Sequence, residues 1–426
     1  MKKTTLLLVA ILLLSSNSIF AQNFLYKREI KGIENSKQTE WYKLILPTQV
    51  TEKASTDFSD VRIFGVDNTD TVEVPFLINK LRPTFVNSSQ VDFKIINTAK
   101  KEQEYFFTLE KTSDTEEAIN LIKLNFENDN FDWKVKLEGS QNQNEWFEIL
   151  KDYRIVSIKN DFTDYSFTNL AFASSKYKYY RLRLSDQTNF QKNEPKLASA
   201  SIFLQEIVEG SSEDLEVVSK NLTIDKEKKQ TVIDFEIAYS AVLDVVSLEV
   251  KNDFDYYRKI QFKYLLDSTK TEKGVIYNFV TLHTSTLSSL EKENGVSDFS
   301  LNPNVKAKKY QIIIDNQDNQ PLDIGKVGVK VYTKELFARV SPSDKNRSYF
   351  LAYGNERIQK PNYDITRFEN TIPNDLTSLI LSDEEKIPQK EVEKVKPLFE
   401  NSLWLWFLMG AIIVVLTFFT FKMMKK

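Results

Sequence analysis

The sequence predicts an all-β chain: tandem antiparallel β-sandwiches followed by a single C-terminal transmembrane helix. Three observations carry this. From Phe24 onward, short runs rich in Val, Ile, Phe and Tyr alternate with stretches of Asn, Asp, Ser and Lys, the spacing of an all-β sandwich or barrel. The run Trp133 to Glu138 alternates strictly, with Trp133, Val135 and Leu137 on one face and Lys134, Lys136 and Glu138 on the other, the mark of a half-buried strand. Leu403 to Phe421 passes without a charge, and at a rise of about 1.5 Å per residue that stretch crosses the hydrocarbon of a bilayer.

The elements follow in order. Lys2 and Lys3 precede an apolar run, Leu6 to Leu14, and a polar stretch ending in SIFAQ; this is the layout of a secretory signal peptide, residues 1–21, cleaved after Ala21. Residues 22–100 are expected to form an N-terminal β domain. Its strands are Trp41 to Leu46, stopped by Pro47, then Val61 to Phe64, Val72 to Phe76 with a turn at Asp67-Asn68 between them, and Val91 to Ile96. Residues 101–210 are expected to form a second sandwich, from Tyr105–Leu109, Ile119–Phe126, Trp133–Glu138, Trp146–Ile149 and Tyr179–Leu184. Residues 215–381 are read as a third unit with a C-terminal extension, in which Ser348 to Tyr353 is a strand before a turn at Gly354-Asn355. A short helix over Ser285–Glu293 is the one helical expectation before the anchor. Residues 382–400, charged and bracketed by proline, read as a stalk. The span is 401–422 and the tail 423–426.

An internal echo links two of these units. VVSLEVKNDFDYYRKIQFKYLLDS, from Val245, resembles INLIKLNFENDNFDWKVKLEGS, from Ile119, and Tyr310–Ile314 resembles Tyr180–Leu184. This predicts two copies of one sandwich with loop insertions between them.

Composition narrows the function classes. The chain carries 57 Lys and Arg against 60 Asp and Glu. Five of those basic residues are Lys2, Lys3, Lys422, Lys425 and Lys426, at the two ends, so the part between is more acidic still, which argues against a nucleic-acid partner. There is no cysteine, so disulfides, thiolate metal sites and cysteine nucleophiles are excluded. His283 is the only histidine; it sits in a strand-like run with no G-x-S-x-G elsewhere, and reads as a half-buried strand residue. No cofactor is expected. Two carboxylates across a cleft would suffice for a glycan hydrolase, but the sequence nominates no pair; Glu116-Glu117 and Glu384-Glu385 read as solvated neighbours. Asn128–Asp132 and its echo Asn252–Asp255 offer Asp129, Asp132, Asp253 and Asp255 as calcium candidates, against a reading as Asx-rich hairpin turns, which use the same residues for backbone reasons. Trp133 and Trp146 are expected in the core; Phe162, Tyr165 and Phe190 are candidate exposed rings. The anchor carries Trp404 and Trp406 at its first edge and Lys422, Lys425 and Lys426 after it, which places the C-terminus in the cytoplasm and the bulk of the chain outside a cytoplasmic membrane.

Two resemblances rest on these residues. VKLEGSQNQNEWFEI followed by YKYYRLRL resembles the galactose-binding-like jelly roll of discoidin and coagulation-factor type C domains; it implies an antiparallel sandwich whose loops at one end bind ligands, often glycans or lipid headgroups, and transfers no binding residue. The full layout, with WYKLILP, DFSDVRIFG and VEVPFLI early and YGN…PNYDI late, is similar to a family of bacterial membrane proteins with no assigned activity. That resemblance implies an accessory role beside a polytopic membrane protein. The function expected is an extracytoplasmic binding protein, with a carboxylate-based envelope glycan hydrolase as the alternative.

Overall fold

Strand pairing in the computed structural model sorts the described residues into three antiparallel sandwiches, followed by a long C-terminal helix. It describes residues 24–33, 39–67, 70–112, 118–161, 163–185, 194–302, 304–341, 347–355, 357–367, 371–389 and 402–424. The expected signal peptide, Glu116-Glu117, Phe162, Phe190, Lys425 and Lys426 lie outside those residues.

The first sandwich is assembled from both ends of the chain. Tyr26–Lys31 pairs with Ser348–Tyr353, which pairs with Arg62–Val66, which pairs with Thr71–Val74. The facing sheet pairs Glu40–Leu46 with Lys334–Val340 and that strand with Phe76–Lys80. Inward residues of both sheets, among them Tyr42, Leu44, Ile63, Leu336, Leu351 and Tyr353, share one core. The sheets thus draw boundaries other than 22–100 and 215–381. Strands more than 300 residues apart are neighbours here, while Thr84–Val91 and Phe93–Lys101 belong to the second sandwich. The physical reason is that period-two alternation tells a strand which face to bury but not which strand to pair with. The late segment's Ser348–Tyr353 completes the first sandwich rather than the last.

The second sandwich runs from Thr84 to Val208. One sheet has the order Asp164–Phe167, Phe147–Lys159, Phe131–Ser140, Tyr179–Ser185, Glu104–Lys111, Phe93–Lys101; the other has Asn169–Ser175, Ile119–Phe126, Leu197–Val208, Thr84–Val91. Trp133, fully buried, stacks on Phe131 at 3.9 Å between ring centroids. The third sandwich runs from Ser212 to Tyr332. Its larger sheet has the order Gly274–Ser288, Tyr257–Thr271, Ala307–Asp315, Gln230–Ala241, Val217–Asp225, and its smaller one Val296–Ser300, Val245–Val250, Ile324–Tyr332, Ser212–Asp214. Strand for strand this is the order of the second sandwich, without a counterpart of Asp164–Phe167. The segments joined by the sequence echo hold matching places: Ile119–Phe126 and Val245–Val250 in the small sheets, Tyr179–Ser185 and Ala307–Asp315 in the large ones.

Two local expectations change. Ser285–Glu293 is not a helix: the strand continues to Ser288 and only Ser289–Glu291 forms a 3-10 turn. A short helix, Thr48–Lys53, starts directly after Pro47 and buries Val50 alone, too brief to show a helical period in sequence. The stalk reading also changes at its start. Glu385–Lys386 pairs with Tyr26–Lys27, Ile387 is buried and Gln389 donates to the Phe24 carbonyl at 2.8 Å, so 382–389 is bound to the first sandwich. Glu384 is no solvated neighbour of Glu385: it takes Lys53 and the Tyr353 hydroxyl, the latter at 2.7 Å.

The C-terminal helix spans Ser402–Met424, with an apolar stretch Trp404–Met424 long enough to cross a membrane and none of it buried against protein. Trp404 and Trp406 open it and Lys422 closes its last turn.

Candidate functional site: the junction and its clefts

The second and third sandwiches are inserted between Phe76–Lys80 and Lys334–Val340, two strands that pair with each other, so that Lys80 lies opposite Lys334. Three linkers therefore meet at one place, and their backbones close a ring. Leu81 N donates to Thr333 O at 2.9 Å, Thr333 N to Ser211 O at 2.8 Å, and Ser211 N to Leu81 O at 2.9 Å. The Ser211 and Thr333 hydroxyls add a bond at 2.9 Å. Glycine is required beside this ring: a Cβ on Gly210 would stand 2.5 Å from Leu81 O and 2.6 Å from the backbone of Arg82 and Pro83. Each linker so satisfies backbone groups of another.

Beneath the ring is Asp244, wholly buried. Its carboxylate accepts from Tyr332 N at 2.7 Å and pairs with Lys80 and, at 3.8 Å, with Lys334. Burial lowers the Lys334 ammonium pKa; Asp244 acts against that, and the Lys80 and Lys306 charges add to it. One aspartate of the third sandwich thus holds two lysines of the first.

A cleft of about 550 Å³ opens between the first and third sandwiches at this point. Among the described residues its walls carry Lys80, Arg82, Lys306, Lys334 and Lys360 and the carboxylate of Asp57. Phe58, Phe76 and Ile78 give it apolar surface, and Asn302 and Asn304 supply amides. Lys306 donates to the carbonyls of Glu52 and Ala54, which fastens the helical turn Thr48–Lys53 to the third sandwich. The segments DFSDVRIFG, VEVPFLI and YGN…PNYDI also converge beside it. Asp60, fully buried, accepts from Ser55 N and Oγ, both at 2.7 Å, and from Gly354 N and Asn355 N at 3.0 and 2.8 Å. Arg62 donates to Gln359 O at 2.6 Å and pairs with Glu73, which accepts from the Tyr363 hydroxyl at 2.5 Å. Sequence reading singled out these segments but did not bring them together, because no local signal joins residue 60 to residue 354.

The calcium candidates fall elsewhere. Arg154 donates to both oxygens of Asp132, at 2.8 and 2.5 Å, and to Asp255 at 2.6 Å. The two Asx-rich turns are thus brought together across the contact between second and third sandwiches, and a guanidinium stands between their carboxylates. Those hydrogen bonds raise the Arg154 pKa. Asp129 pairs with Lys159 at 3.4 Å, and Asp253 is exposed in its turn. Asn130 is left-handed (φ 57°) and accepts from Lys159 N at 2.8 Å; Asn252 accepts from Asp323 N at 2.7 Å. Both bonds reach backbone far along the chain, so neither closes a local Asx turn. Among the described residues no group of three or more His, Cys, Asp or Glu is placed to hold a metal ion. A second cleft, about 440 Å³, lies at this contact between Arg154, Tyr165, Asp255, Tyr256 and Ser288. Tyr165 is buried in a strand rather than displayed on a loop, and burial pushes its phenol up to about 12.

The remaining candidates are placed as follows. His283 is half-buried on Gly274–Ser288, opposite Phe262. Trp146 is not core: it lies half-exposed beneath the Arg181 guanidinium at 4.0 Å, with Nε1 donating to Gln143 O at 3.0 Å. Phe147 beside it is 53% exposed and stacks on Tyr177. Trp146 follows a turn rather than sitting inside an alternating run, so its face was not fixed by periodicity.

No family model matches the chain, and no curated protein matches it. Among solved structures it is similar to the CBM32-1 and CBM32-2 domains of Clostridium perfringens ZmpB (8% identity, 63% of this chain and 94% of that one, TM-score 0.21). It is also similar to allantoicase from Saccharomyces cerevisiae (8%, 59% and 91%, TM-score 0.19). A third is a glycoside hydrolase 29 family member from an unknown rumen bacterium (15%, 55% and 40%, TM-score 0.19), of which this chain spans less than half. Likeness at such TM-scores carries no weight for function.

Proposed function

We propose that this chain is a single-pass, membrane-anchored binding protein of a bacterial envelope. Its three sandwiches stand outside the cytoplasmic membrane, its C-terminus lies inside, and it acts by contact with a second envelope component, not by catalysis. The observation that carries this reading is the junction: a closed ring of backbone hydrogen bonds and a buried Asp244–lysine cluster fix three sandwiches around one point. A cluster of this kind confers a defined arrangement of recognition surfaces more readily than a reaction. The binding of residues 382–389 to the first sandwich holds that array within reach of the helix. The helix, with no protein cover along its length, is free to meet lipid or the span of a polytopic membrane protein.

The test is affinity capture in mild detergent from native membranes, with the full chain and with residues 24–389 as separate baits. A polytopic partner recovered by the full chain alone places the contact in the span; the same partner on both baits places it on the sandwiches. Turnover of an envelope polymer by the purified protein would overturn the reading in favour of a carboxylate-based glycan hydrolase.

A further inference from the structure

In the third sandwich Tyr257–Thr271 and Gly274–Ser288 form a long hairpin whose second strand is the edge of the larger sheet. We propose that residues 274–286 of this edge are the contact through which two copies of the chain associate. The strand of one copy lies antiparallel to the same strand of the other about a twofold axis near Val280, so that two five-stranded sheets join edge to edge. This goes beyond the reading of the chain as an anchored binding protein and does not depend on it.

The two matching sandwiches differ at this edge. In the second, Asp164–Phe167 covers the edge of Phe147–Lys159 from Val156 to Lys159. In the third, Gly274–Ser288 holds the matching place, and among the described residues no strand lies on its outer side. Unpaired backbone groups along such an edge are a template for another strand. Charge sets the edge apart as well. The covered strand Phe147–Lys159 carries Glu148, Lys151, Asp152, Arg154 and Lys159. The opposite edge of the larger sheet, Val217–Asp225, carries Lys220 and Asp225. Gly274–Ser288 holds no Asp, Glu, Lys, Arg or Pro, although charge and proline are what keep an edge single. That composition also selects the occupant. In twofold antiparallel pairing a residue near the axis meets its own copy, so any charge there would face its like. A strand of a different protein imposes no such restriction, because it can bring the opposite charge. Exposed apolar surface agrees with this. Tyr257–Thr271 is held by Ala307–Asp315 only from Ile260 to Tyr264. Beyond that the hairpin continues as two strands, with Leu266, Val275, Ile276 and Tyr277 exposed. A two-stranded ribbon is marginal in water; a second ribbon beside it makes four strands. The far end of the edge is closed, because Ser288 and Leu290 line the smaller cleft against the second sandwich, which limits the contact to residues 274–286.

The experiment is the oligomeric state of the full chain in mild detergent, read by light scattering after size exclusion across a wide range of concentration. Wild type is compared with Thr281→Lys, with Thr281→Glu and with an equal mixture of the two. Thr223→Lys, on the opposite edge of the same sheet, is the control; Thr281 and Thr223 are both exposed. Wild type and the control should be dimers. Each Thr281 variant alone should dimerise about tenfold more weakly or worse, and the mixture, in which Lys meets Glu, should recover the dimer, a result that misfolding would not give. The chain has no cysteine, so single cysteines report the geometry through a short bismaleimide. Thr281→Cys should link to its own copy. Ile276→Cys and Thr284→Cys should not, because an axis near Val280 sets each about 27 Å from its copy at the antiparallel rise per residue. A wild type that is monomeric at every concentration overturns the proposal, as does a dimer of equal strength in both Thr281 variants, which would place the contact elsewhere. Equal linking at all three positions would mark parallel stacking and overturn the twofold pairing. A monomeric wild type that captures another protein only while Thr281 is intact would assign the edge to a foreign strand and overturn it too. None of these outcomes decides where a polytopic partner is captured, so this inference and the anchored-array reading fail separately.

Discussion

Replacing Asp244 by Asn tests whether the junction is held by charge. Asparagine keeps the shape and can still accept from Tyr332 N, while the negative charge and the oxygen that faces Lys80 are lost. Two ammonium groups then remain, Lys80 at 29% and Lys334 at 12% side-chain exposure. At an effective dielectric of about 20, a pair separated by the 3.8 Å of Lys334 and Asp244 is worth roughly 4 kcal/mol of Coulomb attraction. Water reaching Lys80 and deprotonation of Lys334 recover part of this. Breaking a buried pair costs about 3–5 kcal/mol, and the partial exposure of Lys80 sets the expected loss at the lower end, about 3 kcal/mol, more than a hundredfold in an equilibrium constant. Urea unfolding of the detergent-solubilised chain reads the shift in midpoint, and limited proteolysis reads opening at residues 81–83, 209–211 and 333. Adding Lys334→Met to Asp244→Asn removes one stranded charge and should restore part of the loss. A single variant within about 1 kcal/mol of wild type, or a double variant no more stable than the single, would refute the counter-charge argument.

Three further outcomes follow from the packing and ionisation described. Gly210→Ala forces a methyl to 2.5 Å from Leu81 O and should cost about 1–3 kcal/mol, with cleavage at the linkers rising in parallel; unchanged proteolysis would show that the linkers yield freely. Trp133→Ala empties the centre of the second sandwich at a cost of about 3–5 kcal/mol, measured as a lowered urea midpoint with slower loss of structure in the first sandwich. Burial raises the phenol pKa of Tyr180, Tyr310, Tyr353 and Tyr363 above the ordinary value of 10.0. The unfolded chain therefore loses these protons first, so stability present below pH 10 should fall as pH rises beyond it, and tyrosinate absorbance should appear together with unfolding; full tyrosinate absorbance in a still-folded chain would contradict the burial.

Sequence alone determined what each segment wants locally. The alternation of Trp133, Val135 and Leu137 named a buried face, and all three are buried. The uncharged stretch from Leu403 to Phe421 is one uninterrupted helix, the form in which a segment satisfies its backbone hydrogen bonds within itself. The echo between Ile119 and Val245 fell on strands with matching places in two sandwiches. Partners were decided only in three dimensions. Tyr26–Lys31 finds Ser348–Tyr353, Asp60 finds Gly354, and Arg154 finds both Asp132 and Asp255, because pairing across hundreds of residues depends on which edges remain free once nearer strands have closed. The junction is the clearest case. Asp244, Lys80 and Lys334 are ordinary charged residues in ordinary runs, and nothing within ten residues of any of them signals a buried cluster. Only insertion of two sandwiches between two paired strands brings the three together and leaves a basic cleft at their side.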